Sequence, residues 1–167
     1  MALLNILVYP DERLKQVSQP VKKFSEELNQ FVKDLEETFH SFPGCVGIAA
    51  PQVGRFERIV LVDVSQKPQH VNHGFLVLVN PEIIFYDGTS LGREGCLSVP
   101  SYTGRVQRAK LIVLKAHDVN GEQHEFRMSG YEARAVQHEI DHLEGKLFLD
   151  RLVNRRNALT KRTELSL

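Results

Sequence analysis

The stretch from Ser129 to Gly145 reads SGYEARAVQHEIDHLEG. Ser129 and Glu132 stand at the S-x-x-E spacing of a capping box, in which each side chain satisfies an orphan amide of a helix's first turn. Gly145 is a stop signal. Between them the residues predict a helix, and on it lie His138-Glu139-Ile140-Asp141-His142, the H-E-x-x-H pattern. Residues four apart on a helix differ by about 40° around the axis and about 6 Å along it, so two imidazoles can converge on one metal ion. Glu139 is turned aside from that stripe, which suits a base acting on water better than a third ligand. Val136, Ile140 and Leu143 fall on the opposite side, so the helix is expected to be buried on both faces. The bland alternative is a pair of histidines on a solvated helix.

Moving outward, the middle of the chain is strand-like. Arg58–Val64, Phe75–Val79, Glu82–Tyr86 and Lys110–His117 are β-branched or aromatic runs bounded by Gly, Pro, Asn or Asp. Asn120-Gly121 fits a tight primed turn pairing Lys110–Asp118 with Glu122–Met128. Nearer the start, Ser25 caps a helix over Glu26–Phe42, with Leu28, Phe31, Val32, Leu35, Phe39 and Phe42 on its buried face. The tail carries Arg151, Arg155, Arg156 and Lys161 opposite Leu152, Val153 and Leu159, which predicts a basic terminal helix within 150–167. These elements predict an α+β fold, with antiparallel strands packed around a central metal-binding helix plus an N-terminal and a C-terminal helix. One catalytic domain over 1–167 suits the length.

Composition narrows the function classes. With 42% hydrophobic and 25% charged residues the chain is not disordered. No apolar run approaches the roughly 20 residues of a membrane span. Lys and Arg balance Asp and Glu at 21 each, so no global field draws the protein to DNA or anionic lipid. The first residues, MALLNILVYPDERL, resemble neither a secretory signal nor a transit peptide, and a cytoplasmic, monomeric protein is the default expectation. Cys45 and Cys96 are too few for a disulfide framework.

Two ligands do not hold a catalytic metal, so a third is needed. Cys96, within REGCLSVP (Arg93 to Pro100), offers a thiolate in a turn-rich segment; its alternative is an inert buried thiol. The segment GCVGIAAPQVG, Gly44 to Gly54, is small-residued enough for close backbone approach, and Gln52 offers an amide donor suited to an oxyanion. It also reads as no more than a glycine-rich bend.

Taken together and in this order, GCVGIAAPQVG, EGCLSVP and QHEIDHLEG resemble the three signature segments of the peptide deformylase family, and VYPDERLKQVSQPV resembles the family's opening. The resemblance implies a hydrolase that removes formate from the N-formylmethionine of new polypeptides. It implies Cys96, His138 and His142 as metal ligands, Glu139 as general acid and base, and Gln52 with the Leu97 amide as oxyanion donors. Val46, Gly47, Glu94, Gly95, Tyr131, Arg134 and Ala135 map to the methionine pocket, and the Gly47 region and the strand after Cys96 to rails for an extended peptide. Fe(2+) is the implied native metal, with Zn(2+), Ni(2+) or Co(2+) able to use the same ligands. Ribosome contact through the basic terminal helix is implied by relatives, against a plainly solvated helix. Thr103 departs from the family, standing where an arginine is common, with Arg105 a possible substitute. An H-E-x-x-H peptidase and a noncatalytic, ribosome-associated metal-binding module are the alternatives.

Other residues carry weaker readings. Cys45 is expected to be a small buried filler and Asp141 to make a structural hydrogen bond. Arg108 is open between a partner of Glu94 or Cys96 and a surface ion pair. His70 and His73 are expected in solvent, and His40, His117 and His124 as satisfied surface histidines.

Overall fold

The computed structural model describes residues 2–67, 69–154 and 159–162. The first helix, α1 (Glu26–His40), begins as expected, with the Ser25 hydroxyl accepting the Leu28 N–H at 3.3 Å. It ends before Phe42. Strands β1 (Gly47–Ala49), β2 (Ile59–Val62), β3 (Leu76–Asp87), β6 (Leu111–His117) and β7 (Gln123–Ser129) form an antiparallel sheet in the order β1-β2-β3-β6-β7. Strand β2 is buried on both faces because successive side chains point opposite ways. Ile59 and Leu61 join Leu28, Leu35 and Phe39 of α1, whereas Val60 and Val62 join Val136 and Leu143 of α2 (Gly130–Leu143). A sheet between two helices thus accounts for an uninterrupted apolar run in an antiparallel strand.

β3 runs through Pro81 where two separate strands were expected. Its pairing with β6 shifts register between Val79 and Glu82, and Asn80 sits at φ 51°. The irregularity is tied down by the Asn80 side chain, whose oxygen accepts the Val21 N–H at 2.8 Å and whose amide donates to the Val21 carbonyl at 2.9 Å. A proline is tolerated where the ladder bulges. The expected hairpin forms, with Leu111 to His117 paired against Ser129 to Gln123. Its turn is a different one. Only Gly121 takes a positive φ, of 85°, and Gly121 N–H donates to the Asp118 carbonyl at 3.0 Å, giving a three-residue loop.

A second sheet, order β4-β5-β8, joins β4 (Ser90–Cys96), β5 (Val99–Arg108) and β8 (Leu159–Lys161). Of the segment Arg93–Pro100, expected to be turn-rich, only Leu97-Ser98 turns; the rest ends β4 and begins β5. Gly92, Gly95, Pro100 and Gly104 lower strand propensity, but packing demands glycine at least at Gly104, where a Cβ would overlap Leu152 and come within 3.2 Å of Phe148.

Two further expectations fail. The capping box does not form: Ser129 makes no side-chain cap bond, and buried Glu132 instead accepts the His73 N–H at 2.7 Å and faces His73 Nδ1 at 2.6 Å. Nor is a basic terminal helix seen among the described residues. Phe148–Arg151 is a single 3-10 turn, and Leu159–Lys161 pairs antiparallel with Tyr102–Gly104. Leu152 and Leu159 pack on the cluster around Val106 and Phe148, so strand pairing plus burial outweigh the charge pattern. Arg155 and Arg156 lie outside the described residues.

Candidate active site

Helix α2 brings His138, Glu139 and His142 against the sheet, where all three are buried. Cys96 ends β4 and pairs with Val99 across the Leu97-Ser98 turn, so a hairpin corner delivers its thiol. Cys96 Sγ lies 3.4 Å from His142 Nε2, and the ligand atoms of Cys96, His138 and His142 are all within 4.8 Å of one another. The three residues could hold a metal ion.

The other ends of these side chains are fixed. Glu94 Oε1 receives His138 Nδ1 at 2.9 Å and Arg108 Nη2 at 2.8 Å. Its Oε2 receives Arg108 Nε at 2.9 Å and Arg134 Nη1 at 2.7 Å. Burial pushes this carboxyl's pKa up, but the Arg108 and His138 donors outweigh it and hold it well below the usual range. An ionised Glu94 requires the proton of His138 on Nδ1, which leaves Nε2 as the lone-pair nitrogen for a metal. Arg108 is therefore a partner of Glu94, not a surface residue; it also donates to Asp141 at 2.7 Å, and Arg151 donates to Asp141 at 2.7 and 3.0 Å. Asp141 has the hydrogen-bonding role expected of it.

Gln52 sits in a 3-10 turn (Ala50–Val53) after β1. Its Oε1 accepts the Ala49 N–H at 2.9 Å, which points its amide nitrogen at Ser98 Oγ, 3.0 Å away, and Cys96 Sγ, 3.5 Å away. Glu139 Oε1 is buried without a hydrogen-bond partner among the described residues, 4.0 Å from His142 Nε2. Burial raises its pKa to about 7, against the lowering effect of His138. Gly47 faces it so closely that a Cβ there would overlap the carboxylate.

A cavity open to solvent adjoins these groups. Val46, Gly47, Glu94, Gly95, Leu97, Tyr131, Arg134 and Ala135 all line it, together with Cys96, His138 and Glu139. The site thus gathers residues from β1, the β4–β5 corner and α2. A buried carboxyl beside a candidate metal trio and a cavity lined by both polar and apolar side chains fit metal-assisted amide hydrolysis.

A family model for polypeptide deformylase matches residues 3–158. The chain belongs to that family. It is 41% identical over 152 residues to the peptide deformylase of Thermodesulfovibrio yellowstonii, covering 91% of this chain and 90% of that one. The fold is similar to a crystal structure of a peptide deformylase from Legionella pneumophila, at TM-score 0.83 and 39% identity, over 90% of this chain and 86% of that one. A class I type b deformylase from Acinetobacter baumannii, described as bound to Met-Ala-Ser, matches at TM-score 0.83 and 36% identity, over 90% and 98% of the two chains. Deformylases remove the formyl group from N-formylmethionine peptides, and that is this chain's reaction.

Several residues depart from the sequence reading. Cys45 is not a buried filler: it is half-buried, lines the cavity and donates to the Gly47 carbonyl at 3.2 Å. Arg93 lines the cavity too and was not singled out. His73 is not free in solvent but grips Glu132, and His70 stacks on Tyr131 at 5.4 Å. His117 has a buried Nδ1 that is unpartnered among the described residues, and its ring packs against that of Phe24 at 5.8 Å. The strand after Cys96 is not a free rail. The Ser98 carbonyl receives Tyr9 N–H at 2.8 Å, and β8 covers Tyr102–Gly104, so β1 and β4 are the exposed edges beside the cavity.

Proposed function

We propose that Cys96, His138 and His142 hold the catalytic metal and that Glu139 moves the protons of deformylation. The donors fit a divalent ion: two imidazoles and a thiol, mutually close, buried, and beside an unpartnered buried carboxylate oxygen. When bound, such an ion supplies Lewis acidity to a water and to the formyl oxygen. Glu139 accepts the water's proton as oxygen attacks the formyl carbon. The same carboxyl then delivers a proton to the departing amine nitrogen, so that the C–N bond breaks and formate leaves. The Gln52 amide and the Leu97 N–H donate to the oxygen on which charge develops, each such donor worth about 10²–10³ in turnover. Gln52 is held for this by its carbonyl bond to Ala49.

The methionine side chain enters the cavity between Val46, Gly47, Tyr131 and Ala135. Glu94 and Arg134 bind one another at its wall and shape it, and Gly95 stands at its mouth. The peptide adds as a strand to the edge of β1. Iron, as Fe(2+), is the native ion in this reading, with Zn(2+), Ni(2+) or Co(2+) able to substitute; an Fe(2+)–thiolate site loses activity in air as Cys96 oxidises. The chain acts as one catalytic domain in the cytoplasm, as a monomer, on nascent chains. No described helix is long and apolar enough to cross a membrane. Ribosome contact through the tail uses a segment that includes the strand β8; loss of cosedimentation after truncation at Asp150 supports it, and unchanged cosedimentation refutes it.

The observation that carries the mechanism is the buried Glu139 oxygen beside the trio, without a hydrogen-bond partner among the described residues. The test is formate release from an N-formyl-methionyl peptide by protein purified without oxygen. Glu139→Gln is expected to keep the metal and lose turnover by about 10²–10⁴. Near-normal turnover in that variant overturns the role of Glu139.

A further inference from the structure

The tail strand places a charged group at the cavity mouth. The ladder of β8 on β5 continues one residue further, with Arg162 N–H donating to the Ser101 carbonyl at 2.8 Å. The Arg162 side chain then lies over Gly95. A Cβ built on Gly95 would overlap Arg162 Nη2, and would stand 3.2 Å from its Cζ and 3.4 Å from Thr103 Cγ2. Gly95 and Arg93 both line the cavity. The second guanidinium is held at the same spot, because Arg93 Nη1 donates to Thr103 Oγ1 at 3.1 Å. Two cations therefore meet around one threonine.

Among the described residues no carboxylate answers them. Glu94, beneath, is buried and saturated by Arg108, Arg134 and His138. Among the described residues neither Arg93 nor Arg162 forms an ion pair. Like charges brought together repel, and an anion between them relieves the repulsion. Guanidinium groups suit a carboxylate in particular, because their planar fork matches its two oxygens. The strand alternation of β4 separates the two jobs: Glu94 and Cys96 are buried, while Arg93 and Gly95 face the exposed side.

We propose that Arg162 and Arg93 form a cationic subsite that favours substrates bearing a carboxylate just beyond the methionine, where the peptide leaves the cavity. The inference rests on the reading of that cavity as the formyl-methionine site. The carboxylate comes from an acidic side chain or, in a short peptide, from its own terminus.

The test compares formyl-Met-Ala-Glu-amide, formyl-Met-Ala-Gln-amide and formyl-Met-Ala-Gln with a free terminus, using metal-loaded protein. At low ionic strength the Glu-amide is expected to exceed the Gln-amide in kcat/KM by about three- to tenfold, the scale of an exposed charge pair at an interface rim. The ratio should shrink in about 0.5 M salt, where charges are screened over a few ångströms. Arg162→Leu brings the ratio toward one, Arg162→Glu inverts it, and Arg162→Lys retains part of it. Lys161→Leu, on the opposite face of the tail, leaves the ratio as in wild type. A preference for the free terminus alone assigns the subsite to chain ends and upholds it. Equal rates in wild type, or a preference surviving Arg162→Leu and Arg93→Leu alike, overturn it. Should no peptide release formate, the deformylase reading falls separately. The subsite is then decided by calorimetric affinities for Met-Ala-Glu-amide and Met-Ala-Gln-amide, which should show the same ratio; equal affinities refute it.

Discussion

Among the described residues, two trios of side chains bring ligand atoms within 4.8 Å of one another: Cys96 with His138 and His142, and Asp118 with Glu122 and His124. Distance does not separate them. The first trio is buried, and the far nitrogen of His138 is fixed by Glu94, which four donors saturate. The second spans the β6–β7 loop and the start of β7, where Asp118 Oδ1 already accepts the N–H groups of Asn120 and Glu122 and Oδ2 meets His124 Nε2 at 2.8 Å. Those bonds, His124's first, hold the Asp118 carboxyl below its usual pKa. Its lone pairs belong to the turn. A metal site needs more than proximity; its ligand atoms must be left unspent while their opposite ends are held.

The largest effects should follow from the first trio. Cys96→Ala is expected to remove bound metal, as read by elemental analysis, and formate release with it. Asp118→Ala should leave both intact. Metal content preserved in Cys96→Ala would erase the distinction between the trios.

Next comes the layer behind the ligands. Glu94→Ala leaves Arg108, Arg134 and His138 facing a buried gap, and breaking such a network costs about 3–5 kcal/mol. A large drop in the urea midpoint is expected. At the second trio, Asp118→Ala removes turn hydrogen bonds at an exposed site and should cost about 1 kcal/mol. Equal losses at the two positions would contradict the idea that only the first trio is held by a buried scaffold.

The same contrast explains what the sequence disclosed. His138, Glu139 and His142 were legible because helical periodicity is local, and Cys96 and Gln52 because their segments resemble a known family's. The β4–β5 hairpin was not, since Gly92, Gly95 and Gly104 lower strand propensity, and the packing around Gly104 is nonlocal. The capping box failed because Glu132 was claimed by His73, 59 residues away in sequence. The tail showed the charge spacing of a surface helix, yet Leu152 and Leu159 found the cluster around Phe148 and the strand found the edge of β5. Arg108 stayed ambiguous in sequence because its partners, Glu94 and Asp141, lie 14 and 33 residues away.

The smallest effect concerns the two cysteines at the cavity, which differ as the trios do. Cys96 is expected to act as a metal-bound thiolate. Cys45 is a donor, its thiol bonded to the Gly47 carbonyl, and burial first, then the charge of Glu139, pushes its pKa from 9.0 up to about 12. A raised acid pKa means that the folded chain keeps a proton the unfolded chain gives up. This thiol's contribution to stability should therefore hold below about pH 9 and decline as pH rises toward 12. At pH 8, iodoacetamide should modify Cys45 on the order of 10²–10³-fold more slowly than an unfolded-chain cysteine, because the thiolate is the reacting species. Peptide mapping of metal-loaded protein reads the rate directly. Rapid alkylation at Cys45 would show that burial does not hold it neutral, and that the cavity wall there is wetter than its packing implies.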